Sequence, residues 1–257
     1  MTYHSGYGSL PPPRPERPSR GGGCLGVLGT LLIVGAVIVG TVAYSPILEL
    51  DDLRDRLGDA VRMDPLHGEP GSGGDGWTYM TTTTSGAPIT WGCRQTIPVE
   101  VNPEHAPEGY ADRLTAAFAM VNEASGFTFE IVGETEDRNF LERGRGPVLL
   151  GWADEQEVPA LAGPTAGLGG AVYAQGPGGG GRAVGGMVVL DVDQPGGWLR
   201  DTDTELEMII THELIHVLGL GHSEDPNQLM AAEHRGQRAL GEGDLAGLAS
   251  LEETACG

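Results

Sequence analysis

The sequence predicts an α+β fold built on a mixed sheet, and three observations predict it. Short apolar or alternating runs at residues 96–103, 127–133 and 147–153 read as strands. Two stretches with helical spacing, 107–126 and 201–220, sit among them. Between the last of these strands and the second helix, residues 166–193 hold two apolar runs around a glycine-rich loop, read as two further strands. The order strand, helix, several strands, helix, helix is an α+β order, and it leaves the sheet order open.

The elements follow in chain order. The first 23 residues carry Arg14, Arg17 and Arg20 against Glu16, among many prolines. Such a tail reads as disordered, with partner docking as the alternative. Residues 24–43 contain no charge and no proline. As a helix they span about 30 Å, the hydrocarbon thickness of a bilayer. The arginines before this stretch and the acids after it place the N-terminus in the cytoplasm and the bulk of the chain outside. The chain is thus expected to be a single-pass membrane protein; a cleaved signal peptide, giving a secreted protein, is the alternative.

Residues 44–88 read as a stalk. Leu48, Leu50, Leu53, Leu57 and Val61 have helix-like spacing, and the glycine- and threonine-rich remainder reads as flexible linker. The globular part is expected over 89–257. In its first helix Tyr110, Leu114, Phe118 and Val121 share one stripe. In the long helix Thr202 and Glu205 have the spacing of a capping box. A short helix over 241–251 closes the chain.

Composition narrows the partners. The formal net charge is −21, with 36 acids against 15 basic residues. An acidic surface repels phosphate backbones, so nucleic acid is not an expected partner. No lysine is present, and the glycine-rich loop is no phosphate-binding loop, which needs Gly-Lys-Ser/Thr. Of the three cysteines, Cys24 opens the apolar stretch, where lipidation or inertness are both open. Cys93 and Cys256 bracket the globular part and predict a disulfide in an oxidising compartment; two free thiols are the alternative.

The chemistry concentrates in THELIHVLGLGH, residues 211–222, which holds three of the seven histidines. His212 and His216, four apart on a helix, share a face about one turn apart. Gly219 can take the left-handed backbone that ends the helix, so His222 can swing back as a third ligand. Three neutral nitrogens suit zinc and leave one open position for water. Such a water has a pKa of about 7, and Glu213, pointing roughly 100° round the helix, can take its proton as general base.

The pattern HExxHxxGxxH resembles that of the metzincin zinc endopeptidases. Ser223 after the third histidine, and Met230 in a following turn, are similar to the matrixin branch. The resemblance implies a metzincin-like catalytic domain: a mixed, mostly parallel twisted sheet with an antiparallel edge strand, a long active-site helix and a C-terminal helix. It implies one catalytic zinc on His212, His216 and His222, with Glu213 catalytic and Met230 as an apolar floor. It further implies a protein or peptide substrate held by backbone hydrogen bonds along Gly169, Gly170, Ala171, Val172 and Tyr173. Asp191 and Asp193 stand where the family often binds calcium; solvated acids are the equal alternative.

Departures from the family pattern are visible. Gly170 and Val189 replace histidines of the family's second, structural zinc, so one zinc is expected. The sequence around Cys93 does not match the family's latency propeptide. Ala232 and His234 occupy the places of a Pro-x-Tyr segment that lines the specificity pocket. The leading expectation is a membrane-anchored zinc endopeptidase acting outside the cytoplasm. A surface binding module that has lost turnover and a zinc hydrolase of non-peptide bonds are the alternatives. Oligomeric state is not legible.

Overall fold

The computed structural model describes residues 71–175, 180–193 and 203–257. The expected tail, membrane anchor and stalk helix lie outside these residues, as does Thr202 of the expected capping box. Among the described residues no helix is long and apolar enough to cross a membrane.

The elements are β1 (Gly71–Gly74), β2 (Trp77–Tyr79), β3 (Thr96–Val101), α1 (Tyr110–Ala124), β4 (Thr128–Glu134), β5 (Val148–Ala153), β6 (Gly167–Gln175), β7 (Gly181–Asp191), α2 (Asp203–Leu218), β8 (Leu220–Gly221) and α3 (Glu242–Cys256). Five strands form the main sheet in the order β4-β3-β5-β7-β6. Neighbours pair in parallel except β6, which runs antiparallel to β7 and forms one edge. This is the mixed, mostly parallel sheet with an antiparallel edge that the sequence resemblance implies.

Both faces of the sheet are covered, which is why β5, VLLGWA, is apolar along its whole length and buried at all six positions. On one face α1 and α2 build the main core over Ile97, Val99, Val101, Val148 and Leu150. The α1 stripe falls as its spacing predicts: Leu114, Phe118 and Val121 are buried together with Ala117. Tyr110 is half-buried and meets the Trp152 ring edge-on at 5.2 Å. On the other face Leu149, Met187 and Val189 are covered by Phe140, Val158 and Leu161.

The C-terminus of α2 is built with care for its free carbonyls. Gly219 takes φ +119° and turns the chain out of the helix. The Trp91 indole N–H donates to Val217 O at 2.8 Å, and the Thr90 hydroxyl donates to Leu218 O at 2.7 Å. The helix α3 continues beyond its expected end to Cys256, which is bonded to Cys93 across 163 residues. The two ends of the globular part are thereby joined, as the cysteine positions predict.

The glycine- and threonine-rich stretch read as flexible linker is ordered from Gly71 onward. β1 and β2 form a hairpin closed at Asp75-Gly76, with Gly76 at φ +79°. A second sheet of order β1-β2-β8 attaches this hairpin to the chain just past α2. Farther on, Gly86 N–H donates to Thr83 O at 2.9 Å and Thr82 bridges to Pro88, so the threonine run is a turn. Composition misled here; Asp-Gly between extended residues is a hairpin signal in its own right.

Candidate metal centre and cleft

The first turn-to-turn pair of the site rests on α2. His212 and His216 lie on one helix face with ring centroids 4.6 Å apart. Each has its Nδ1 beside a backbone carbonyl: His212 beside Leu229 O at 2.8 Å and His216 beside Leu220 O at 2.7 Å. A carbonyl only accepts, so each Nδ1 carries the proton and donates. Both Nε2 atoms are then bare lone pairs. Beyond the Gly219 turn, His222 returns so that its Nε2 stands 3.3 Å from His216 Nε2. One ring nitrogen from each of the three lies within 4.8 Å of the others. Among the described residues this is the only such group of three or more ligating side chains.

Burial sets the protonation of the trio. It pushes His212 down to about 4, helped by the neighbouring His222 and His234. It holds His216 well below the ordinary imidazole value and lowers His222 as well. Neutral imidazoles at neutral pH are what a divalent cation requires of its ligands. The donor set therefore fits zinc: three nitrogen lone pairs, two of them with the tautomer fixed by a carbonyl.

Glu213 is buried beside the trio, and β6 closes over it. A Cβ on Gly167 would stand 3.2 Å from Glu213 Oε1, and one on Gly169 only 2.2 Å from the Glu213 carbonyl oxygen. Glycine at 169 is thus a condition for the edge strand to lie on the helix. Burial pushes the Glu213 carboxyl up to about 8, partly offset by the Gly169 N–H that favours its charged form.

A cleft of about 1050 Å³ opens over these groups. Its lining includes Pro164 to Gly169, the α2 residues His212, Glu213 and His216, and Ala231 to His234. Of the five expected substrate-strand residues only Gly169 lines it. Gly170, Ala171, Val172 and Tyr173 continue along β6 and are buried. Tyr173 has its hydroxyl enclosed without a hydrogen-bond partner, and burial raises its pKa. Ala232 and His234 do line the cleft.

Met230 is fully buried in the main core, and its carbonyl accepts the Ser223 N–H at 2.7 Å. Asp191 is buried and takes the Asp193 N–H on Oδ1 at 3.0 Å. Burial raises its pKa, and Asp193, Glu155 and Asp154 add to the rise. Among the described residues these acids do not gather three ligand atoms as the histidines do, so calcium finds no support there.

Three supporting residues escaped the sequence reading. Asp244, fully buried at the start of α3, accepts the N–H groups of Leu229 at 2.7 Å, Met230 at 3.1 Å and Gly241 at 2.8 Å. Gln228 Oε1 accepts from Gly243 and Asp244 N–H at 2.9 and 3.2 Å, serving a helix whose N-cap, Gly241, has no side-chain oxygen. Thr78 donates its hydroxyl to His222 O at 2.8 Å. Only Asp244 left a trace in the sequence, as an acid in the first turn of a helix.

A comparison with curated proteins gives no match. Residues 90–252 match the family model described as Matrixin. That span is well over half of the chain and holds the three histidines, Glu213, Met230 and Asp244. The chain belongs to the matrixin family.

Proposed function

We propose that the chain is a zinc-dependent endopeptidase. The observation that carries this reading is the convergence of the His212, His216 and His222 ring nitrogens beside a buried carboxyl, at the floor of an open cleft. His212, His216 and His222 would hold one zinc. When bound, zinc supplies a Lewis acid that polarises the scissile carbonyl and lowers the pKa of water to about 7.

The remaining steps belong to the chain. The Glu213 carboxylate takes the proton from the attacking water and passes it to the leaving amine. Its burial favours the protonated form, which this relay passes through. The substrate lies extended against β6, whose outer edge has no strand partner among the described residues. The cleft geometry favours the Gly167–Gly169 end of the strand over the stretch from Gly170 to Tyr173.

The Cys93–Cys256 pair supports action in an oxidising compartment, outside the cytoplasm. Anchoring by residues 24–43 is part of the same proposal and rests on sequence alone. The test is chelator-sensitive cleavage of a denatured protein mixture, wild type beside Glu213→Ala, with zinc measured on both. Expected are about one zinc per chain in each and cleavage by the wild type alone. Cleavage that survives both chelation and Glu213→Ala overturns the reading.

A further inference from the structure

His212 and His216 are placed by a helix, and carbonyl acceptors orient their rings. His222 has neither support. It follows a two-residue strand, and among the described contacts its ring meets only the other two imidazoles. What fixes the third ring is therefore its backbone, and the β1–β2 hairpin is what grips that backbone.

The grip has several parts. Thr78 pairs with Gly221 and Tyr79 with Leu220 across the β2–β8 ladder. Met80 N–H donates to Gly219 O at 2.7 Å, at the turn itself. Thr78 Oγ1 donates to the His222 carbonyl at 2.8 Å. Gly221 makes this approach feasible, since a Cβ there would stand 2.7 Å from Thr78 Oγ1 and 3.0 Å from Tyr79 O. The hairpin is in turn fastened to α3: Tyr79 OH and Ser250 Oγ share a 2.7 Å hydrogen bond. A Cβ on Gly243 would lie 2.5 Å from Gly76 O, so the hairpin tip sits directly on the helix start. Thr78, Tyr79 and Met80 also line the cleft. The hairpin residues themselves, through Met80, lie upstream of residue 90, where the family match begins.

We propose that Thr78 is a positioning residue for the third metal ligand, and that the β1–β2 hairpin is a working part of the metal centre. The proposal rests on the reading of His222 as a ligand. Its hydroxyl holds the peptide that carries His222, so the imidazole is presented without searching. Removing that hold leaves the fold and frees the ligand.

The experiment follows zinc release from the full chain to a chromophoric chelator, for wild type, Thr78→Ser, Thr78→Val, Thr78→Ala and His222→Ala. Melting of each metal-free protein is recorded alongside. Partners that orient metal ligands typically change metal affinity 10–100-fold. Thr78→Val and Thr78→Ala are expected to release zinc about tenfold faster, at the low end of that range. Thr78→Ser, which keeps the hydroxyl, is expected to match wild type. Wild-type release from both Thr78→Val and Thr78→Ala overturns the proposal. So does faster release that merely tracks a lower metal-free melting temperature, because that is a stability effect alone. Zinc retention by His222→Ala overturns the ligand reading itself, a failure separable from that of the hairpin.

Discussion

His216 Nε2 and His222 Nε2 face each other at 3.3 Å. The His216 proton is committed at Nδ1 to Leu220 O, so its Nε2 is bare. Only a proton on His222, or a cation, can reconcile two such nitrogens at this distance. The contact marks the place where the metal is expected. A ligand that binds only the folded chain at a thousandfold excess over its Kd stabilises it by about 4 kcal/mol. Zinc loading is accordingly expected to raise Tm by several degrees, and chelation to reverse it, in a calorimetric comparison.

Glu213 makes two separable predictions. Loss of general-base action should lower kcat/KM of Glu213→Gln by roughly 10²–10⁴-fold, with zinc content unchanged. The second concerns the metal-free protein. The carboxyl has an ordinary value of 4.5 and is held at about 8 in the fold. Between these values the folded chain keeps a proton that the unfolded chain has lost, so stability falls as pH rises through the window. Glu213→Gln removes that dependence. The variant should gain on wild type progressively toward the alkaline end, read by melting both at each end of the window.

Asp244 and His212 are linked through one peptide unit. Asp244 accepts the Met230 N–H, and the carbonyl of that same peptide, Leu229 O, accepts the His212 Nδ1–H. Asp244→Ala leaves the N–H groups of Leu229, Met230 and Gly241 without their acceptor. At about 1–3 kcal/mol for each buried unpaired donor, a loss of roughly 3 kcal/mol or more is expected by denaturant unfolding. Zinc affinity should fall with it, since the same peptide orients His212.

Gly169→Ala tests the contact between β6 and α2. The added methyl would lie 2.2 Å from the Glu213 carbonyl oxygen, a backbone atom that cannot rotate away. Overpacking of this kind costs about 1–3 kcal/mol. A destabilisation toward the upper end is expected, together with lower activity, because the strand that covers Glu213 must retreat.

Reduction of Cys93–Cys256 opens a link across 163 residues. The chain-entropy description gives up to about 5 kcal/mol for a loop of this size. A lower unfolding midpoint is expected for the Cys93→Ser/Cys256→Ser protein, with zinc content unchanged in the folded state.

The long helix and its histidines were legible because chemistry there fixes both residue type and spacing. The helix α1 was legible because burial repeats with the helical period at Leu114, Phe118 and Val121. The edge position of β6 was not: strand periodicity is blind to neighbours, and it entered only through family resemblance. The hairpin was missed because glycine and threonine serve flexible linkers and tight packing alike. Gly221 and Gly243 decide between these uses, and their meaning lies in what touches them. Asp244 and Gln228 act on amides distant in sequence, a pairing that no local pattern encodes.

The brace on His222 bears on where this domain can be cut. A truncation starting at residue 89, the boundary that composition recommends, would keep His212, His216, His222 and the disulfide yet discard the strand that steadies the last of those three. An excised fragment meant to retain its metal has to begin ahead of Gly71.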